Sequence, residues 1–303
     1  MSPRFAASDE VIQCATNVSE GRRPQVIASI VEASRVGGAV VADVSSDPDH
    51  NRTVISWLGS AAHLEEAVLA ASARAAQWLD LTSHEGVHPR MGIVDVVPFT
   101  PIRNASMETC VALSLRVAEA LARTVGLGVY LYEMSAQSGR PRSLPEIRRA
   151  ASGWPHAGSL APDIVPANPS ARLGAAVVGA RPALVAYNVA LKEGGLEAAR
   201  RIASDLRRLR DAREDLTGVR ALGLYLVSRA AAQVSMNLTQ PAKTPLRSVY
   251  AAVRELAELH GAQVGDSEVI GLVPAECIQG ATLEDLRLTT LRPEQVIDNW
   301  IEA

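Results

Sequence analysis

Two of the chain's six histidines stand four residues apart in the ten-residue stretch SHEGVHPRMG, Ser83 to Gly92. Two imidazoles, an acid and a guanidinium so close together could hold a metal or move a proton. An HxxxH pair grips zinc when a helix turns both rings to one face. Gly86 between the histidines and Pro89 behind the second oppose that helix, because a residue before proline is pushed to extended geometry. With no third ligand nearby in sequence, no metal site is expected. Proton transfer suits the segment better. Histidine's ordinary pKa lets it take and return a proton near neutrality, and the proline holds His88 rigidly at the mouth of a strand. Arg90 offers a two-pronged grip for a substrate carboxylate. The plainer reading is that both residues solvate a loop.

Three other stretches carry polar groups in suggestive places. NVSEGRRP, Asn17 to Pro24, joins a strand end to a helix start, where unpaired backbone N–H groups favour an anion. Ser19 could equally serve there as the helix cap. DVSSDPDHNRT, Asp43 to Thr53, follows a strand with three acids, His50 and Arg52. It reads either as a turn built by Pro48 and its Asp and Asn neighbours or as the acidic wall of a site. GAAVVGARP, Gly174 to Pro182, sets glycines before Arg181 and a strand. Without a following GK[ST] it is a weak phosphate loop, and close backbone approach to a flat ligand explains the glycines as well.

The elements that must position these residues follow from hydrophobic periodicity. In the first half, strands are expected over Val11 to Asn17, Ala39 to Val44, Thr53 to Leu58 and Ile93 to Phe99. Helices are expected over Pro24 to Arg35, stopped by Gly37-Gly38, and over His63 to Leu79. The order β-α-β-β-α-β is the ferredoxin-like arrangement. A helix over Ser106 to Thr124 and a strand over Val129 to Tyr132 follow. From Glu133 to Arg181 the pattern dissolves: the segment holds six of the 17 prolines and promises only a short helix near Pro145 to Ala151. A connector that long is commonly functional. The order then repeats, with strands over Ala183 to Ala190, Val219 to Val227, Ala231 to Leu238 and from Gln263. Its helices run over Leu196 to Arg210 and Leu246 to His260. The expectation is an α+β chain of two ferredoxin-like α/β subdomains with a ligand groove between them.

Composition narrows the partners. The 303 residues are 48% hydrophobic and only 4% aromatic, so Ala, Val and Leu must fill the core. A net charge of −3 leaves no footprint for nucleic acid. Cys14, Cys110 and Cys277 are far apart and form no CxxC, which argues for a reducing compartment. The N-terminus lacks the apolar run of a signal peptide, and no segment nears 18 uninterrupted apolar residues. A cytoplasmic protein without membrane contact is expected.

Taken in order, NVSEGR, the DV and NRT of Asp43 to Thr53, SHEGVHPRMGIVDVVPF, VYLY, LPEIRR, APDI, GARPALVAYNV, AQVSMNL and VIGLVP resemble the formiminotransferase domain, the glutamate formimidoyltransferase family. The resemblance runs from Asn17 to Pro274, and HPRMG…D…PF is its most specific part. It implies an N-terminal subdomain over 1–180 and a C-terminal one over 181–303, without the cyclodeaminase half of some relatives. It further implies tetrahydrofolate in the groove, carried as its 5-formimino or 5-formyl form, glutamate as the second substrate, and a homodimer. The catalytic histidine of HPRMG falls on His88. The folate-binding stretch falls on Val165, Pro166, Ala167, Asn168, Pro169, Ser170, Ala171, Arg172, Leu173 and Gly174. Arg52, Arg90 and Arg181 are candidates for the carboxylates of glutamate and of the folate tail. Asn17, Ser45 and Asn51 complete the substrate-binding set, with Ser45 standing where members commonly carry the second acid of a DxD.

The implied chemistry needs one proton shuttle. The glutamate amine attacks the one-carbon unit on folate N5, loses a proton, and the departing nitrogen gains one. A histidine near neutrality can serve both steps, a contribution on the order of 10²–10⁴-fold. No metal is required. Two other readings stand beside this one: transfer to an amine other than glutamate, or a folate- or amino-acid-binding homologue without catalysis.

Overall fold

The computed structural model describes residues 4–87, 89–151, 154–155 and 158–302. It divides into two compact units, one spanning Ser8–Arg181 and one built on Pro182–Ala303.

The first unit opens with β1 (Val11–Val18), α1 (Pro24–Ala33), β2 (Val40–Asp47), β3 (Arg52–Gly59), α2 (Ala61–Trp78) and β4 (Val94–Arg103). It continues with α3 (Met107–Ala120), β5 (Gly128–Leu131), α4 (Leu144–Ala150) and β6 (Ala175–Ala180). Its six strands lie in the order β2-β3-β1-β4-β6-β5. The first four pair antiparallel, whereas β6 runs parallel to both β4 and β5.

Strand alternation sorts side chains onto two faces. On one face Cys14, Ile55, Trp57, Val97, Phe99 and Val178 pack beneath Ile30 of α1, Leu64 and Val68 of α2, and Leu113 and Val117 of α3. Each such buried side chain contributes about 1.5–3 kcal/mol. On the opposite face Val96, Tyr130 and Val177 meet Ile147 of α4. Neighbours such as Val96 and Val97 thus serve different cores, and β4 reads as a nearly unbroken apolar run. α4 begins with a reciprocal cap, Ser143 with Glu146, and carries Pro145 in its first turn.

One expectation is corrected here. The connector from Glu133 to Arg181 is not irregular beyond its short helix: Ala175–Ala180 forms β6, inserted between β4 and β5 and buried throughout. A parallel strand covered on both faces shows a short apolar run instead of alternation, and AAVVGA is too brief to announce itself. Its glycines answer to packing. A Cβ on Gly174, which has φ +70°, would run into the Met91 carbonyl, and one on Gly179 into the Tyr132 carbonyl.

The second unit follows the expected order: β7 (Val185–Leu191), α5 (Gly195–Arg210), β8 (Val219–Leu226), β9 (Ala231–Leu238), α6 (Leu246–Leu259) and β10 (Val264–Ile270). Its four strands are all antiparallel, in the order β10-β7-β9-β8. Val234 and Met236 on β9 alternate inward against Ile202 and Leu206 of α5 and Val249 and Val253 of α6. The arginines of α5 occupy its outer side, at Arg201 and Arg208, where they pair with Glu197 and Asp205. The chain is therefore an α+β protein of two sheets, each with its own core.

Candidate active site

Three turns of the first unit converge beside the adjoining ends of β1 and β4. The first leaves β1. Ser19 does not cap α1; its hydroxyl donates to the Gly92 carbonyl at 2.7 Å. The buried Glu20 closes the turn that precedes the helix. One carboxylate oxygen accepts the N–H groups of Arg22 and Arg23 at 2.8 and 2.9 Å, and the other accepts Arg23 Nε at 2.6 Å. Burial alone would raise this carboxyl's pKa, but the backbone bonds and Arg23 outweigh it and hold the value below normal. A carboxylate of the chain itself thus occupies the turn that leads into α1, whose own start has no side-chain cap.

The second turn is the β2–β3 hairpin. His50 N–H donates to the Asp47 side chain at 2.8 Å, which makes Asp47 to Arg52 an Asp-anchored turn. Asn51 sits in the left-handed region at φ 46°, where asparagine is tolerated better than most residues. Its side chain works in both directions: Oδ1 accepts Gly21 N–H at 2.9 Å and Nδ2 donates to the Glu85 carbonyl at 2.8 Å. Asn51 therefore ties the first turn to the third.

That third turn is the histidine-bearing segment. Val87 N–H donates to the Asp49 carbonyl at 3.1 Å. His84 Nε2 lies 2.9 Å from the Asn51 carbonyl, which can only accept, so the ring's proton is on Nε2. Nδ1 is then a buried acceptor that no donor meets. Burial lowers the His84 pKa, and nearby Arg90 lowers it further. Arg90 wraps around the same turn, donating to the carbonyls of His84 at 2.9 Å and Gly86 at 3.3 Å. Ser19, Glu20, Arg22, Asn51, Trp78 and His84 line part of a cleft of about 340 Å³. His88 lies outside the described residues.

Beneath these turns sits an acid that motif reasoning left without a role. Asp95, 2% exposed, accepts Met91 N–H at 2.7 Å and Arg148 Nη2 at 2.5 Å. Arg52 and Arg90 both feel its charge. Burial pulls the Arg52 pKa down, Asp95 and Asp47 oppose that, and Arg148 adds to it. Three guanidiniums thus gather about one deeply buried carboxylate, with Asp47 near Arg52 and Glu85 near Arg90 as further acids. A charged residue inside GIVDVVPF, an otherwise apolar strand, is the signal that could have found Asp95. Arg148 of LPEIRR has no comparable local mark, because α4 reaches Asp95 only in the folded chain.

The remaining candidates fall in three places. Ser45, Val54, Asn17 and Val96 form one cross-strand row over β2, β3, β1 and β4. Ser45 and Asn17 therefore share a face two strand spacings apart, about 9–10 Å. Ser45 donates to Asp43 at 2.6 Å. Arg181 lies at the far end of the sheet, its N–H donating to Phe99 and its side chain beside Tyr132; the structure does not bring it to Arg52 and Arg90. The expected folate stretch splits in two. Val165, Ala167, Asn168, Pro169 and Ala171 are exposed, Ser170 is half-buried, and Pro166 is buried. Arg172 donates to the carbonyls of Ala76 and Leu79 at the end of α2, both at 2.9 Å, and so fastens the loop to the helix. Leu173 joins the core, and Gly174 bridges to Gly92. Most of 165–171 is thus exposed, and 172–174 are tied to the helix, the core and Gly92. Among the described residues, no group of three His, Cys, Asp or Glu is placed to hold a metal, and no helix is long and apolar enough to cross a membrane.

The fold is a mixed α+β build of two sheets, and comparison with known proteins assigns the chain's class. The N-terminal subdomain of the formiminotransferase domain matches residues 11–181, and the formiminotransferase domain matches residues 186–296. The chain belongs to the formiminotransferase family, and with it to the tetrahydrofolate-dependent one-carbon transferases. A glutamate formimidoyltransferase of Thermoplasma acidophilum is 33% identical over 96% of this chain and 97% of its own length. One from Streptococcus pyogenes is 34% identical over 89% and 91%. The formimidoyltransferase-cyclodeaminase of Sus scrofa is 38% identical over 90% of this chain but 52% of its own length.

Proposed function

We propose that this protein is a glutamate formimidoyltransferase, moving the formimino group between 5-formiminotetrahydrofolate and glutamate. The observation that carries the reading is likeness along nearly the whole length of two relatives bearing that name. The gathering of Arg52, Arg90 and Arg148 about a single buried acid supports it, since both substrates are carboxylates.

In the proposed mechanism Arg52 and Arg90 receive a carboxylate of glutamate, with Asn17, Ser45 and Asn51 shaping the surrounding polar surface. The exposed loop 165–171 takes the folate, and Arg181 serves the folate tail. His88 removes a proton from the glutamate amine as it attacks the formimino carbon. The C–N5 bond then breaks, and the same imidazole returns the proton to N5. Holding both reactants in register supplies proximity besides acid–base help. His84 is not the shuttle in this reading: its one bonded nitrogen is committed to Asn51 and its pKa is depressed. The strand orders of both units support a ferredoxin-like classification for each. A homodimer at work in the cytoplasm completes the proposal.

The test incubates the purified protein with 5-formiminotetrahydrofolate and glutamate, then with other amines, and follows formimino transfer. Transfer to glutamate is expected. Transfer only to another amine would overturn the acceptor, and folate binding without any transfer would leave a binding protein. Full activity in His88→Ala would remove the proton shuttle from its assigned residue.

A further inference from the structure

Asp95 is the extra residue of a bulge between β1 and β4. Val18 pairs with Val94 and Asn17 with Val96, so Asp95 has no ladder partner of its own. Bulges re-aim side chains and gather beside active sites. This one aims a carboxylate at two targets, the Met91 N–H and Arg148. Met91 is fixed on its other side as well, its carbonyl accepting Ala175 N–H at 2.9 Å.

The arrangement is a poor device for stability alone. Replacing a buried ion pair by packed apolar side chains is commonly neutral or favourable, and Val94, Val96 and Val97 show that β4 favours them. Arg148 also leaves its Nε buried with no acceptor, a cost an apolar residue would avoid. What the pair does achieve is to immobilise one backbone amide, three residues along the chain from His88.

We propose that Arg148 and Asp95 are positioning residues whose ion pair fixes the Met91 amide, and through it Pro89 and Arg90, the described residues that follow His88 in the chain. The inference rests on the role given to His88 above. Arg148 neutralises Asp95 so that the carboxylate can stay buried, and Asp95 holds Met91. Arg90 then leaves the anchored residue in a fixed direction, with its guanidinium turned back onto the carbonyls of His84 and Gly86.

The test compares Arg148→Met, Arg148→Lys and Asp95→Asn with the wild type in full-length protein, after thermal melting has shown each to be folded. Two readouts are taken: kcat and KM for folate and glutamate, and amide hydrogen exchange over residues 89–93. In Arg148→Met the Met91 amide should exchange faster while β1 and β3 stay protected. Its kcat should fall about 10²-fold, the scale of a small misplacement of reacting groups, with KM close to wild type. Arg148→Lys keeps the charge and should recover much of kcat, and Asp95→Asn should resemble Arg148→Met. Unchanged kcat in Arg148→Met, a rise in KM alone, or unaltered Met91 exchange would each overturn the proposal. If Arg148→Met does not fold, the Lys and Asn variants decide it by the same criteria. Should the wild type itself transfer nothing, the formimidoyltransferase reading fails, while Met91 exchange still decides whether the pair positions this segment.

Discussion

His84 Nε2 and the Asn51 carbonyl lie 2.9 Å apart, a bond that joins the histidine turn to the β2–β3 hairpin and puts a proton on Nε2, while the buried Nδ1 meets no donor. Burial is the main reason the ring resists protonation, and Arg90 the second. The folded pKa is therefore below the ordinary value of 6.5. Below 6.5 the unfolded chain binds a proton that the folded chain refuses, so stability rises with pH in that window. The protein should melt at progressively lower temperature as pH falls from 7 through 6.5 toward the depressed pKa. His84→Gln should flatten this slope, as read by thermal melts at a series of pH values. An equally steep slope in the variant would assign the acid sensitivity elsewhere.

Glu20 closes the turn before α1 with three hydrogen bonds from Arg22 and Arg23. Glu20→Ala should cost about 1–3 kcal/mol, since three donors of Arg22 and Arg23 lose a charged acceptor. Glu20→Gln keeps an acceptor oxygen and should cost less. The wild-type contribution is present above the ordinary carboxyl pKa and is lost as pH falls through the depressed one. Urea unfolding of the three proteins at pH 7 and at pH 4 checks both statements: the gap between wild type and Ala should narrow in acid.

Much of the fold was legible because it depends on local pattern. β9 runs over the expected residues, Ala231–Leu238, since alternation between core and outer face is what a half-covered antiparallel strand displays. β6 escaped notice because it is covered on both faces and flanked by glycines that suggest a loop. The site divides the same way. Asn51, Arg52 and Arg90 stand out as polar residues in turns, and the folded chain brings their turns together. Asp95 and Arg148 are 53 residues apart, and their pairing depends on where α4 lies on the sheet. No spacing rule reports that. Arg172, within the expected folate stretch, is held by hydrogen bonds to carbonyls nearly a hundred residues earlier, a contact that no local pattern announces.

Cys14, Cys110 and Cys277 are all buried, and burial pushes each thiol up to about 12. Thiolate is the reactive form, so the native protein at pH 8 should react very slowly with a disulfide reagent such as 5,5′-dithiobis(2-nitrobenzoate). All three thiols should titrate once denaturant is added. A thiol that titrates rapidly without denaturant would mean that one of these cysteines opens to solvent in the native ensemble.

The arginines beside Asp95 differ in what their loss would do. Arg52 comes from the start of β3 and is surrounded by Asp47, Asp95 and Arg148. Removing it takes away one of the two guanidiniums proposed to receive a carboxylate and leaves Asp47 with one positive neighbour fewer. Arg52→Ala should raise KM for glutamate about 10- to 100-fold, or about 1.4–2.8 kcal/mol, with a smaller effect on kcat. Arg52→Lys keeps the charge but not the planar fork and should fall between the two. Arg90 both faces this region and braces the histidine turn through two carbonyls. Arg90→Ala should therefore lower kcat as well as raise KM. Steady-state kinetics with glutamate varied at saturating folate separate the cases. If Arg52→Ala leaves KM for glutamate unchanged while that for folate rises, the two carboxylate sites have been assigned the wrong way round.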